Sequence, residues 1–127
     1  MPVIAHIALW TQDLDRLRDF YQRWFGAASS PRYTNSATGF QSYFLSFADG
    51  PCLEIMSAPD VAERPAGKRA GYADIALTTG SEEEVRQLTG RMEAAGVEIA
   101  SPPRTTGDGY FESVVLNPDG NFVEITV

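Results

Sequence analysis

Residues 3–10 alternate, with Ile4, His6, Ala8 and Trp10 on one side of an extended chain and Ala5, Ile7 and Leu9 on the other, which predicts a strand. The period then changes. Leu14, Leu17, Phe20, Tyr21 and Trp24 recur at three- and four-residue spacings, making one apolar stripe of a helix with Asp13 as its N-cap. Gly26 ends it. A weak strand near 32–35 follows, then "SYFLSFA" and "CLEIMS", joined through "DGP", a hairpin turn signal. The first stretch therefore reads βαβββ.

The second half repeats the order. "GYADIALTT" reads as a strand, Ser81 with Glu84 three residues on makes a capping box, and Val85, Leu88, Met92 and Ala95 form a helical stripe that Gly96 closes. "FESVVLNPDGNFVEITV" reads as a hairpin turning at Asn117-Pro118-Asp119-Gly120, and "TTGDGY" at 105–110 as a flexible entry to it. Between the halves, "APDVAERPAGKRAG" holds Pro, Gly and charge but almost no large apolar residue, so it reads as a linker or surface loop.

Landmarks confirm that the resemblance between the halves is a repeat. "AHIAL" at 5–9 returns as "ADIAL" at 73–77, Gly26 as Gly96, and Asp49-Gly50 as Asp119-Gly120. Glu54 in "CLEIM" returns as Glu124 in "FVEIT". The expectation is one α+β domain over 1–127, built from two βαβββ units at about 1–60 and 68–127 with a linker at about 58–70. Each unit covers one sheet face with its helix, and two units can curl the open faces into a shared concave cleft.

Bulk properties narrow the function. Seventeen acidic against ten basic residues give a net charge of −7, which argues against nucleic acid as a partner. No apolar run approaches the roughly 20 residues of a membrane span. The start, "MPVIAHIALWTQDLD", lacks a signal-peptide layout, which predicts a cytoplasmic protein. One cysteine, Cys52, excludes an intrachain disulfide and a thiolate metal cage.

Alternation assigns the chemistry to a face. Leu53 and Ile55 oppose Cys52, Glu54 and Met56, and Val123, Ile125 and Val127 oppose Phe122, Glu124 and Thr126. The aliphatic sides suit the helices, which sends His6, Glu54, Asp74 and Glu124 to the uncovered faces. Taken singly, a histidine on a strand is more often structural than ligating, a glutamate there is usually just solvated, and Asp74 reads equally as a surface or hydrogen-bonding residue. Together, four lone-pair donors at equivalent places in two units read as ligands of a first-row divalent ion.

With these residues the chain resembles the vicinal oxygen chelate superfamily, carried by "HIAL", the Glu in "CLEIM", "ADIAL" and "GDGYFESVVLNPDGNFVEI". That group includes glyoxalase I, extradiol dioxygenases, methylmalonyl-CoA epimerase, fosfomycin-modifying enzymes and metal-free bleomycin resistance proteins. The resemblance implies His6, Glu54 and Glu124 as metal ligands, with Asp74 where the metalloenzymes usually carry histidine. One imidazole with three carboxylates leaves a divalent site near −1, which tilts the preference from zinc or nickel toward manganese.

Two functions stay open on this resemblance. One is a metal-dependent lyase or isomerase acting on a small oxygen-chelating substrate through an enolate-type anion, with Glu124 as base and Glu54 as the alternative. The other is a metal-free, bleomycin-resistance-type protein that traps a cationic ligand. Trp10, Tyr43, Phe44, Tyr72, Tyr110 and Phe111 are the expected lining of the cleft; ordinary core packing is the competing reading of each. A homodimer is expected, with each site formed within one chain or across two.

Overall fold

The alternating run at the start of the chain is strand β1 (His6–Trp10). In the computed structural model, which describes residues 1–127, it begins later than residue 3 for a simple reason. Its parallel partner begins only at Cys52, opposite His6, so beyond the Cys52 N–H bond to the Ala5 carbonyl the preceding residues have no ladder to join. Helix α1 (Leu14–Phe25) follows. The Asp13 carboxylate accepts from the Arg16 N–H at its start, and Gly26, at φ 65°, closes it in the left-handed region where a side chain is unfavourable.

Strands β2 (Ala28–Ser29), β3 (Tyr33–Thr34), β4 (Gln41–Ser46) and β5 (Cys52–Ser57) complete the first sheet. Its order is β1-β5-β4-β2, with β3 also on β4; the β1–β5 pair is parallel and the rest antiparallel. Leu14, Leu17, Phe20 and Tyr21 bury the helix stripe against a sheet face carrying Leu45, Leu53 and Ile55, all buried. Apolar area removed from water on this one face is the main stabilising term of the layer.

The remaining elements are β6 (Asp74–Thr78), α2 (Glu82–Ala94), β7 (Ile99–Thr105), β8 (Phe111–Leu116) and β9 (Phe122–Thr126). The second sheet runs β6-β9-β8-β7, again with first and last strands parallel. Ser81 caps α2 by accepting from the Glu84 N–H. Val85, Leu88 and Met92 pack on Val115, Val123 and Ile125. Buried Thr89 donates to the Val85 carbonyl or shares its hydroxyl with Ser113 at 2.7 Å, so neither hydroxyl is left unsatisfied.

The molecule is thus α+β, with two helices, two mixed sheets and the same internal topology twice. By contacts it divides into units Met1–Arg64 and Pro65–Val127. Residues 58–73 hold turns but no helix or strand.

Two strands are not foreshadowed by pattern. β2 is two residues long, and β7 reads "IASPPRT", with two prolines and no alternation. Proline survives in β7 because the strand is an edge, paired only with β8, and its register shifts between Ser101 and Arg104, where the prolines lie. Ala95, expected in the α2 stripe, is instead the exposed C-cap residue.

The turn before β4 is tightly made. Asn35 donates its N–H to the Phe40 carbonyl and accepts the Gly39 N–H on its own carbonyl, both at 2.8 Å. Gly39 has φ 78°, and a Cβ there would stand 2.9 Å from the Pro59 ring. Both the backbone and the contact exclude a side chain. Gly39→Ala is therefore expected to cost about 1–2 kcal/mol in urea unfolding; an unchanged midpoint would show that the 35–40 turn relaxes freely.

Candidate functional site

On the first sheet, pairing places His6, Ala8 and Trp10 of β1 beside Cys52, Glu54 and Met56 of β5, all on the face away from α1. Leu53 and Ile55, their neighbours in sequence, face the helix and are buried. The apolar drive that seats Leu53 and Ile55 thus aims Glu54 outward. His6 Nε2 stands 3.7 Å from Glu54 Oε1, with the imidazole half-exposed and the carboxylate mostly covered. Phe44, opposite Glu54 on β4, packs edge-on to the His6 ring at 5.9 Å between centroids.

The second sheet repeats the register. Ala8 faces Glu54 in the first unit and Ala76 faces Glu124 in the second. His6 faces Cys52, and Asp74 faces Phe122. Asp74 and Glu124 therefore hold, within their unit, the places that His6 and Glu54 hold in theirs.

The donor set can be tested against an ion. Two ligands about 2.1 Å from a tetrahedral centre stand about 3.4 Å apart. The 3.7 Å His6–Glu54 pair matches one edge of such a site with little rearrangement. Within neither unit do three His, Cys, Asp or Glu side chains come together around a common point.

The expected aromatic lining divides. Trp10 and Phe44 lie on the open face of the first sheet, 53% and 42% exposed. Tyr72 lies in the segment before β6 and Tyr110 just before β8, both strongly exposed. Tyr43 and Phe111 are corrections, because both are buried on the helix-covered faces. Phe111 sits under the Arg86 guanidinium at 4.6 Å, and adjacent strand residues cannot share a face, so Tyr43 cannot accompany Phe44. Two open-face rings went unread: Tyr33, paired with Ser42, and Phe40, in contact with Trp10. The aromatic spacing around the weak 32–35 strand was the available signal.

On its own side Tyr43 is a hub. Its hydroxyl donates to Asp15 at 2.8 Å and accepts from Arg18 at 2.9 Å and from Arg32 at 3.1 Å, and Arg32 also bonds Asp15. The Arg32 bond, then that of Tyr43, holds the Asp15 carboxyl below its ordinary range, and the Arg32 guanidinium is raised in turn. A depressed folded-state pKa gives stability that is present above the unfolded value and lost as pH falls through the folded one. The contribution of Asp15 should fade below about pH 4. Asp15→Asn is expected to flatten the acid limb of the stability profile slightly, since Asp15 is half exposed. An acid limb identical in both proteins would remove Asp15 from the account.

Residues 3–125 match the profile of the glyoxalase/bleomycin resistance protein/dioxygenase superfamily. The chain belongs to that superfamily. Superfamily structures share its fold. The glyoxylase/bleomycin resistance protein/dioxygenase domain from Frankia sp. EAN1pec superposes with a TM-score of 0.84 at 15% identity, covering 100% of this chain and 98% of that one. Glyoxalase I from Leishmania major gives 0.78 at 21%, covering 99% and 86%. A glyoxalase I variant from Zea mays gives 0.80 at 22%, covering 98% of this chain, which spans only 44% of the maize chain. Comparison with curated proteins finds no match to the sequence. No helix of this superfamily member is long and apolar enough to cross a membrane.

Proposed function

We propose that this chain is a small metal-dependent enzyme, a lyase or isomerase for a small substrate with adjacent oxygens, and that His6, Glu54, Asp74 and Glu124 hold a divalent ion. The observation that carries this reading is the His6–Glu54 pair at 3.7 Å on an open sheet face, with Asp74 and Glu124 at the equivalent register places. One imidazole with three carboxylates favours manganese over zinc or nickel. Bound there, the ion supplies Lewis-acid stabilisation of negative charge developing on the substrate oxygens.

The work left to the chain is proton movement. Glu54 is held beside the imidazole, which leaves Glu124 as the base that takes a proton from the carbon next to the substrate carbonyl and returns it. We further propose that the functional form is a homodimer.

Metal analysis of the purified protein tests the assignment. The expected result is about one ion per chain, lost on His6→Ala and on Glu124→Gln. Metal far below that level, or equal amounts in all three proteins, sinks it.

A second reading, a metal-free protein that sequesters a cationic ligand, is favoured by one observation. The rings of Trp10 and Phe44 are exposed on a sheet whose strands contain no lysine or arginine, in a chain of net charge −7.

A further inference from the structure

Glu112 is an ionisable residue that proton movement through Glu124 leaves unused. It lies on β8 opposite Thr126 of β9, and Val114, two residues on, lies opposite Glu124. Phe111, Ser113 and Val115, the alternate residues of β8, are buried on the side that packs on α2, so Glu112 shares the open face with Glu124. The two carboxylates are diagonal neighbours across one strand pair, a separation of about 7–8 Å.

Neither strand neighbour holds the Glu112 carboxylate. Its Oε2 is enclosed by protein and accepts no hydrogen bond. Both neighbours carry a donor that could serve it, and both are committed elsewhere. Thr126 donates its hydroxyl to the Phe111 carbonyl at 3.2 Å. Arg104, opposite on β7, turns its Nε to the Ser101 hydroxyl at 3.4 Å, across the register shift in that strand, and makes no ion pair with Glu112. Taking a carboxylate oxygen out of water with no donor costs free energy, so this side chain calls for a reason outside the stability of the fold.

The repeat shows that such a sheet does not need this charge. On the first sheet the matching place, opposite Met56 as Glu112 is opposite Thr126, belongs to Ser42, a short side chain that is buried. One topology thus accepts a small hydroxyl or a longer carboxylate there. The difference lies in what the open face offers to a bound molecule.

The charges decide which donor suits Glu112. Arg104 stands directly across the ladder, and a second cation brought to Glu112 meets that like charge. A neutral hydroxyl meets no such penalty and still makes a charge-assisted bond to a carboxylate. Val114 and Leu116, the next residues of β8 on this face, are apolar, so neither competes for the hydroxyl.

We propose that Glu112 sets substrate specificity by accepting a hydrogen bond from a substrate hydroxyl, so that the substrate is a hydroxylated small molecule with adjacent oxygens rather than an alkyl one. This rests on the reading proposed above, which brings the adjacent oxygens beside Glu124, and adds the group next to them. The terminal torsion of a glutamate is soft, so rotation brings either oxygen of Glu112 to the hydroxyl. An analogue with a methyl group in that place covers the carboxylate and leaves it unpaired, which is how a polar site rejects an apolar isostere.

Two hydroxamates of one shape make the test. Glycolohydroxamate and propanohydroxamate both present adjacent oxygens, and differ only in a hydroxyl that replaces a methyl. Each is titrated into the full chain, once loaded with manganese and once stripped of metal by a chelator, by calorimetry and by NMR of the Glu112 amide. Glycolohydroxamate is expected to bind at least about tenfold more tightly, the scale of one hydrogen bond to a charged group. Glu112→Leu should bring the two close to equal, while Glu112→Gln, which keeps a carbonyl acceptor, retains part of the preference. Circular dichroism checks that both variants fold. A preference kept without manganese, with no gain in affinity from the ion, sinks the metal reading and leaves the role of Glu112 standing. Equal binding of the two probes, a preference unchanged in Glu112→Leu, or no binding of either up to about 50 mM overturns that role.

Discussion

Replacing Ile55 by alanine will destabilise the protein by about 3–4 kcal/mol, the cost of deleting a well-packed aliphatic side chain and leaving a cavity. Ile55 is fully buried, in β5, with β1 on one side, β4 on the other and α1 over its face. Few positions bind so many elements, so the surrounding side chains cannot collapse into the gap without moving a strand. For a chain of this size the loss corresponds to a fall in Tm of about 10 °C or more. Its neighbour Glu54 depends on the same packing, because β5 holds the carboxylate outward only while Leu53 and Ile55 stay inward. Thermal and urea melts of Ile55→Ala measure the effect. A loss below about 1 kcal/mol would show that this face tolerates rearrangement and that the placement of Glu54 is not fixed by it.

Asp74→His is expected to raise zinc or nickel affinity at least about tenfold, the scale on which changes in a metal's ligand environment act. Imidazole extends farther from the backbone than the short aspartate side chain, and it removes a negative charge from a set that would otherwise carry three carboxylates. Softer nitrogen ligation favours zinc and nickel, so the manganese preference should fall as theirs rises. Calorimetric titration of metal-free protein with each ion measures both changes. If Asp74→His changes neither affinity nor ion preference while His6→Ala abolishes binding, Asp74 lies outside the ligand set. If neither substitution matters, the four residues are not a metal site.

These predictions rest on residues of different legibility. His6, Glu54, Asp74 and Glu124 stood out in the sequence because two copies of one pattern pointed to the same places. The copies share few residues, yet the register is the same in both units, Ala8 against Glu54 and Ala76 against Glu124. Both helices were legible because a period of 3.6 with a cap at each end is a local property, as in Asp13 to Gly26. The Asn117–Gly120 hairpin was equally local, closed by the Gly120 N–H on the Asn117 carbonyl.

Short elements and shared faces were harder to see. A two-residue strand such as β2 carries no period, and β7 exists because β8 offers it an edge, whatever its prolines prefer. Tyr43 and Phe111 could have been assigned from alternation alone, since each follows or precedes an aromatic that points the other way.

By itself the sequence determined the two-unit repeat, the helices, the main hairpins and which side chains leave the helix-covered faces, all of which are set by spacing along a short stretch of chain. Only the tertiary structure decided which strands become neighbours. The parallel pairing of β1 with β5 brings His6 within 3.7 Å of Glu54, and the pairing of β4 with β3 lines Tyr33 up with Trp10. Those contacts join residues far apart in sequence. They are selected by the burial of whole sheet faces under a helix, a cooperative property that no local pattern of apolar and polar residues encodes.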